Sequence, residues 1–471
     1  MILPDMIEAK KRTDKEVLKI NYKKNKSYEN MGKGKLFYLR TYGCQMNEHD
    51  SEEIKGILYS VGYIETLIMG QADLIILNTC AIRENVHDKV FGLLGRVKSL
   101  KEIKPEVIVG VGGCMPQELS VSEKIVDKLP FVNFVFGTHN FTSLLDFIND
   151  SYNLKQIVNV ESIEGNIIEG TPIKRNSNVS GYVNIILGCD KFCTYCIVPL
   201  ARGKQRSREK EKIIEEIINL KNNGYKEVVL LGQNVNAYGK DLYTDYDLSE
   251  LLKDVSDTGI DRIRFVTSHP WDFSDKMIDV IKHSPNIMPW FHLPVQSGSD
   301  KILKLMGRRY KVNEYISLVK KIRREIPYSC ITTDIIVGFP QETEEDFNLT
   351  LNLVNEIKFD TAYTFAFSKR KGTPAEAMEE TVSEDEKLNR LHILNTLVNK
   401  YSSLSNKLLE NTEVKCLVTG ISEKNNKRYT GYTECMKIVN IESEEDITGK
   451  IVLVKILKAK SFSLDGVLVT K

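Results

Sequence analysis

The sequence has almost no net charge and no long apolar run. Its 65 basic and 64 acidic residues leave a formal charge of +1, so the chain as a whole has no electrostatic signature of a nucleic-acid partner, and any such role must rest on local patches. No apolar stretch approaches the ~20 residues of a transmembrane helix, which argues against a membrane partner. A secretory h-region is also missing. Nine cysteines, an odd number in a chain of 471 residues, then fit a cytoplasmic protein whose thiols serve metals or chemistry and argue against a disulfide scaffold. The first 34 residues are lysine-rich but carry Asp5, Glu8, Asp14 and Glu16. Transit peptides are poor in acids, so 1–34 is expected to be a flexible extension.

What is present is an alternation of short apolar strands and helical periods. A single core stops growing at roughly 250–300 residues, so two or three domains are expected. KLFYLR, ADLIILN and EVIVGV, each followed by a helical period, predict an open parallel α/β sheet domain over 35–150. Residues 151–174, with Gly165, Gly170 and Pro172 and no clear period, read as a linker. A second run, YVNIIL, EVVLLG, IRFV, WFHLPV, ITTDIIV and TAYTFAF, gives six strand-helix units and predicts a partial (β/α)6 barrel over 175–405. The stretch 383–410, with Leu388, Leu391, Leu394 and Leu397 at a repeating spacing, reads as an amphipathic core helix packed across that barrel. From 408 to 471 the pattern changes to five short strands, EVKCLVTGI, KRYTGYT, MKIVNI, KIVLVKIL and VLVTK, which predict a small antiparallel β-barrel of a nucleic-acid-binding type. Its ten basic and nine acidic residues do not by themselves support that role.

Two sets of cysteines carry the chemistry. GCDKFCTYC follows the strand YVNIIL directly and spaces Cys189, Cys193 and Cys196 by three and then two residues. Three thiolates can hold three irons of a cubane and leave the fourth iron open to a ligand. Zinc normally wants a fourth protein ligand nearby. Phe192 and Tyr195 between the cysteines would shield such a cluster from water. Cys44, Cys80 and Cys114 are far apart in sequence, yet each lies just past a predicted strand, and loops at the carboxyl ends of parallel strands converge on one crevice. Gly43, Gly112 and Gly113 would permit close backbone approach. On the residues alone, a metal site and coincidence stay equally open for this second set. Cys330, Cys416 and Cys435 lie in or beside apolar runs and read as ordinary buried cysteines.

The C-x-x-x-C-x-x-C loop after the first strand of a strand-helix barrel resembles the radical S-adenosylmethionine enzymes. With TYGCQMNEHDSE, NTCAIRENVHDKVFG, VGGC, RFVTSHP, HLPVQSGSD and TTDIIVGFPQE, the chain from about Lys35 onward is similar to their methylthiotransferase family. The resemblance implies two 4Fe-4S clusters: one on Cys189, Cys193 and Cys196 that binds S-adenosylmethionine at its open iron and yields a 5′-deoxyadenosyl radical, and one on Cys44, Cys80 and Cys114 that delivers sulfur. It implies that Gln233, Asn234, Ser268, Gln296, Arg309 and Asp334 line the S-adenosylmethionine pocket, and that the last module is a TRAM domain gripping RNA, where Tyr432 departs from the arginine that often follows glycine. S-adenosylmethionine would serve as methyl donor and radical source, and the two loops around Cys44 and Cys80 favour the branch that methylthiolates C2 of a prenylated (dimethylallyl) adenosine beside the tRNA anticodon. Siblings act on threonylcarbamoyladenosine or on a ribosomal-protein aspartate. An electron donor such as flavodoxin or ferredoxin and a monomeric enzyme are expected. Arg202, Lys204, Arg206, Arg208 and Lys210, with Lys369, Arg370 and Lys371, would meet tRNA phosphates at the barrel mouth. The competing reading from another class is a non-catalytic iron-sulfur protein that binds RNA and senses redox state.

Overall fold

The computed structural model describes residues 16–81, 84–153, 156–160, 166–422 and 425–469. Residues 1–15 of the expected extension, 82 and 83 of the NTCAIREN motif, Gly165, and the last two residues of the expected final strand lie outside them. No helix among the described residues is long and apolar enough to cross a membrane. The chain divides into two compact units.

The first unit holds residues 1–176, 186–206 and 368–376. Its centre is a six-stranded sheet in the order Ile64–Glu65, Leu36–Thr41, Leu74–Thr79, Ile108–Gly113, Phe134–Phe136, Ile157–Asn159, with every pair parallel. Strands Leu74–Thr79 and Ile108–Gly113 are buried at every position, which is why they read as continuous apolar runs instead of alternating ones. Successive side chains still go to opposite faces: Ile75, Leu77, Val109 and Val111 enter one core, while Leu74, Ile76 and Ile108 enter the other. Helices Gln45–Tyr59 and Glu84–Ile103 begin just after strands Leu36–Thr41 and Leu74–Thr79.

Two expectations are corrected here. Within the supposed flexible extension, Lys19–Asn21 forms a strand parallel to Ile167–Glu169, and Tyr28 donates to Asp146 at 2.8 Å. The supposed linker supplies that partner strand and also the edge strand Ile157–Asn159. Three-residue strands are too short to display a period, so neither was visible in the sequence.

The second unit holds 177–185, 207–367 and 377–471. Its six barrel strands form two three-stranded parallel sheets, Arg262–Phe265, Glu227–Leu231, Ser180–Asn184 and Trp290–His292, Cys330–Val337, Thr361–Ala366, linked by the bridge between Ile263 and Ile287. Helix Glu384–Lys407 follows, but not with the expected leucine face. Its buried line is Arg390, Leu394, Val398, Ser402 and Asn406, and Leu388 is exposed. A spacing of three turns back about 60° per step, so four leucines at that spacing wrap half the helix, and of them only Leu394 stays on the buried line.

Five strands, Glu413–Ser422, Asn425–Thr433, Ile438–Glu442, Ile451–Ala459 and Leu464–Leu468, close the terminal barrel. All neighbours are antiparallel except Ile438–Glu442 with Leu464–Leu468, which run parallel. Two buried arginines of the adjoining strand anchor it: Arg262 donates to the carbonyls of Lys415 and Tyr432, and Arg264 to those of Thr433 and Glu434.

Candidate iron-sulfur and cofactor sites

Three strand ends of the first unit bring Cys44, Cys80 and Cys114 together. Cys44 occupies the N-cap position of helix Gln45–Tyr59, Cys80 directly follows strand Leu74–Thr79, and Cys114 follows Gly113. Asn47, fully buried, lies between them: its Oδ1 is 3.4 Å from Cys44 Sγ, and its Nδ2 is 3.2 Å from the Thr79 carbonyl and 3.9 Å from Cys114 Sγ. Asn78, also buried, donates back to the Asn47 carbonyl and to Ser51 Oγ, both at 2.9 Å. Gly113 has φ +96°, and a Cβ there would sit 2.4 Å from both Asn78 Oδ1 and the Thr79 carbonyl, so this turn requires glycine. Gly43, at φ +142°, is closed in the same way by Asn47 and by Cys80 Cβ at 2.9 Å.

The donor set fits an iron-sulfur cluster. None of the nine cysteines is in a disulfide. Among the described residues the only group of three ligand atoms within 4.8 Å of one another is His49, Asp50 and Glu53, so neither cysteine triplet is drawn in around a single ion. Tetrahedral zinc, with bonds of ~2.3 Å, would hold its sulfurs about 3.8 Å apart. A cubane holds its thiolates on separate iron corners. Burial pushes the Cys114 thiol up to about 12, against the pull of the neighbouring Arg202 guanidinium, and the Cys189 thiol is raised by burial and by Cys196. Buried thiols that resist ionisation give up their protons to a metal.

The loop of Cys189, Cys193 and Cys196 also lies in the first unit. The Cys189 amide donates to the Gly203 carbonyl at 3.2 Å, the Cys196 amide to the Cys193 carbonyl at 3.0 Å, and the Ala375 amide to the Thr194 carbonyl at 2.9 Å. Helix Val198–Arg202 follows at once. Ile197, Leu200 and Ala201 form one small core with Ala81 and Cys114, and Phe192 packs against it. The apolar residues around both triplets are therefore continuous.

The six expected cofactor contacts all lie in the second unit and fare differently. Gln233 Oε1, Ser268 Oγ and Gln296 Oε1 are buried without a hydrogen-bond partner, an arrangement that a polar ligand would complete. Gln296 also has φ +75°, unusual for a residue with a side chain, and its amide donates to the Asp334 carbonyl at 2.9 Å. Asp334 faces His292 Nε2 at 3.5 Å, and the His292 carbonyl accepts from the Ser268 amide. Asn234 differs: it donates to Asp272 at 3.0 Å and accepts from the His269 amide at 3.2 Å, which makes it a loop brace. Arg309 is exposed, whereas its neighbour Arg308 is buried and donates to Tyr310 Oη and the Pro294 carbonyl.

The first basic run is largely turned inward. Arg202 is buried against Asp50, Arg206 is buried and donates to the carbonyls of Asn166, Arg202 and Lys204, and Arg208 pairs with Glu216 at 2.8 Å. These three were expected to meet phosphate. Alternating charge read from sequence does not reveal which side chains have internal acceptors. Lys369 and Lys371 are exposed. Cys330 and Cys416 are buried as expected, but Cys435 is partly exposed and lies beside Cys330. Sequence reading missed Asn47, Asn78, Asp50 and His292; all four stand within the motifs TYGCQMNEHD, LNTC and FHLP, where the cysteines and glutamine drew attention away from them.

Three family models match the chain: the Radical SAM superfamily over residues 183–354, uncharacterized protein family UPF0004 over 36–137, and the TRAM domain over 407–469. The tRNA-2-methylthio-N(6)-dimethylallyladenosine synthase of Bacillus subtilis is 50% identical over 99% of this chain and 92% of its own length. That of Staphylococcus saprophyticus is 48% identical, over 99% and 92%. Among solved structures, a radical S-adenosylmethionine methyltransferase, TsrM, from Kitasatospora setae matches with a TM-score of 0.52 at 13% identity, covering 73% of this chain and 74% of that one, a likeness of fold.

Proposed function

Because the chain belongs to the tRNA-2-methylthio-N(6)-dimethylallyladenosine synthase family of radical S-adenosylmethionine methylthiotransferases, we propose that it replaces the C2 hydrogen of N6-dimethylallyladenosine beside the tRNA anticodon with a methylthio group. The observation that carries the mechanism is the presence of two separate cysteine triplets, one in a C-x-x-x-C-x-x-C loop and one assembled from three strand ends. C2 of the purine bears an unactivated C–H bond, which no acid or base of the protein can open. When bound, a 4Fe-4S cluster with one open iron supplies the electron that splits S-adenosylmethionine, and a second cluster supplies sulfur.

In this reading Cys189, Cys193 and Cys196 hold the first cluster and Cys44, Cys80 and Cys114 the second. Gln233, Ser268 and Gln296 offer their unpartnered oxygens to the polar groups of S-adenosylmethionine, while Asp334 is oriented by His292. Asn234 positions the loop between them, and Arg309 is assigned to the pocket rim. The terminal barrel holds RNA, and the exposed Lys369 and Lys371 are assigned separately to phosphate; phosphate contacts position a substrate but do not select the base. A prenyl group would enter an apolar pocket that a charged threonylcarbamoyl group could enter only at a desolvation cost. Low-potential electrons would come from a flavodoxin or ferredoxin to a cytoplasmic, monomeric enzyme.

The test compares anticodon stem-loops carrying dimethylallyladenosine, plain adenosine and threonylcarbamoyladenosine in single turnovers of reconstituted enzyme. Methylthiolation of the prenylated stem-loop alone is expected. Equal reaction of all three, or preference for the threonylcarbamoyl form, would refute the substrate assignment. The triple Ala variant at Cys44, Cys80 and Cys114 should still form 5′-deoxyadenosine but add no sulfur, and the triple variant at Cys189, Cys193 and Cys196 should do neither.

A further inference from the structure

Arg202 follows Cys196 by six residues, yet its guanidinium reaches the other cysteine triplet. Nε donates to Cys114 Sγ at 3.2 Å, while Nη1 and Nη2 donate to the two oxygens of Asp50 at 3.1 and 2.6 Å. Arg202 and Asp50 are each 7% exposed and Cys114 4%. A bidentate fork on the carboxylate directs the third N–H at the sulfur, a geometry that lysine cannot reproduce because it presents a point charge without a fork. Breaking so buried a pair leaves an uncompensated charge, so Asp50 and Arg202 constrain each other.

The surroundings fix the arginine from both ends. Its backbone closes helix Val198–Arg202, whose Leu200 and Ala201 pack with Ile197 into the core shared with Ala81 and Cys114. Asp50 is carried by helix Gln45–Tyr59, the helix that starts at Cys44. Arg202 therefore ties together the loop of the first triplet and two of the three elements that carry the second.

We propose that Arg202 is a positioning residue for the sulfur-delivering cluster, holding the Cys114 thiolate through Nε–H and raising that cluster's reduction potential, with Asp50 orienting the guanidinium and offsetting its charge. The inference rests on the reading that Cys114 ligates a cluster. A hydrogen bond donated to a ligating sulfur, and positive charge beside it, favour the reduced cluster, which carries one more negative charge. The two partners therefore act with opposite sign. Loss of Arg202 leaves Asp50 facing the cluster and makes reduction harder. Neutralising Asp50 leaves the guanidinium and makes it easier.

The experiment uses the full-length chain with Cys189, Cys193 and Cys196 changed to Ala, so that only the second cluster can assemble, and follows its one-electron reduction by dithionite in a mediated titration read by electron paramagnetic resonance. Arg202→Ala should lower the reduced-to-oxidised ratio at fixed potential at least tenfold, a shift of about 59 mV for a one-electron couple. Asp50→Asn should shift the potential the other way, and Arg202→Lys should recover part of the loss. Arg202→Lys and Asp50→Asn carry the sign test alone if Arg202→Ala does not assemble a cluster. A purely structural role would reduce cluster yield in these variants and leave the potential of the clusters that form unchanged. An unchanged potential, or shifts of the same sign for Arg202 and Asp50 variants, would overturn the proposal. A background protein that binds no iron at all would instead overturn the ligand reading, and this inference with it.

Discussion

Replacing Arg264 with Met should loosen the terminal barrel from its seat. The side chain is 2% exposed, with Nε 2.6 Å from Glu227 Oε2 and its two terminal nitrogens 2.7 and 2.9 Å from the carbonyls of Glu434 and Thr433. Methionine, which matches the aliphatic stem but lacks the guanidinium, would keep the packing of that stem but strand the Glu227 carboxylate, whose remaining partner is Ser180 Oγ at 3.1 Å. Removing one member of a buried pair costs about 3–5 kcal/mol. The two carbonyls lose a charged donor but can recover some hydration, so the total stays within that range, a factor of roughly 10² to 10⁴ in local opening. Hydrogen exchange of amides in Glu413–Ser422 and Asn425–Thr433 measures it directly. Arg264→Met combined with Glu227→Gln should be less damaging than Arg264→Met alone, because the stranded charge is gone. A loss below about 1 kcal/mol, or strict additivity of the two changes, would refute the reasoning.

Fully reconstituted protein should contain about eight irons and either cysteine triplet variant about four, by iron and sulfide analysis; about four in the unmutated protein would contradict two clusters. Gln296→Ala, removing one unpartnered buried oxygen, should weaken S-adenosylmethionine binding about tenfold in calorimetric titration of the loaded protein, and an unchanged affinity would take Gln296 out of the pocket. Gly113→Ala forces a side chain against Asn78 and the Thr79 carbonyl and should depress iron yield in the Cys189, Cys193, Cys196 triple-Ala background, where normal loading would count against the turn. Asp346 is raised by burial but lowered more by Lys301, the Thr343 amide and Ser299, to about 2 from 3.8. Its contribution is therefore present above the unfolded value and lost as pH falls toward 2, so acid unfolding of Asp346→Asn should show a flatter pH dependence than the parent between those values.

The sequence by itself determined the order of the longer elements, the parallel character of the strand-helix runs and the two candidate cysteine sets. The reason is local: strands buried on both faces must be apolar at every position, and C-x-x-x-C-x-x-C places three ligands on one short loop whatever surrounds it. The other triplet was legible only as three strand ends, since nothing in the spacing of Cys44, Cys80 and Cys114 says how far apart their loops lie. Tertiary structure alone decided what charged and polar side chains do. Arg202, Arg206 and Arg208 form part of one basic run on paper, but the fold turns the first to a thiol and a carboxylate distant in sequence, the second to backbone carbonyls, and the third to Glu216 on the following helix. Asn234 and Gln233 are adjacent, yet the fold satisfies one and leaves the other's oxygen open. Burying an apolar group requires only a neighbour of any kind, so a pattern suffices to foresee it. Burying a polar one requires a specific atom at hydrogen-bond distance, and which atom that is depends on residues that meet only once the chain has folded.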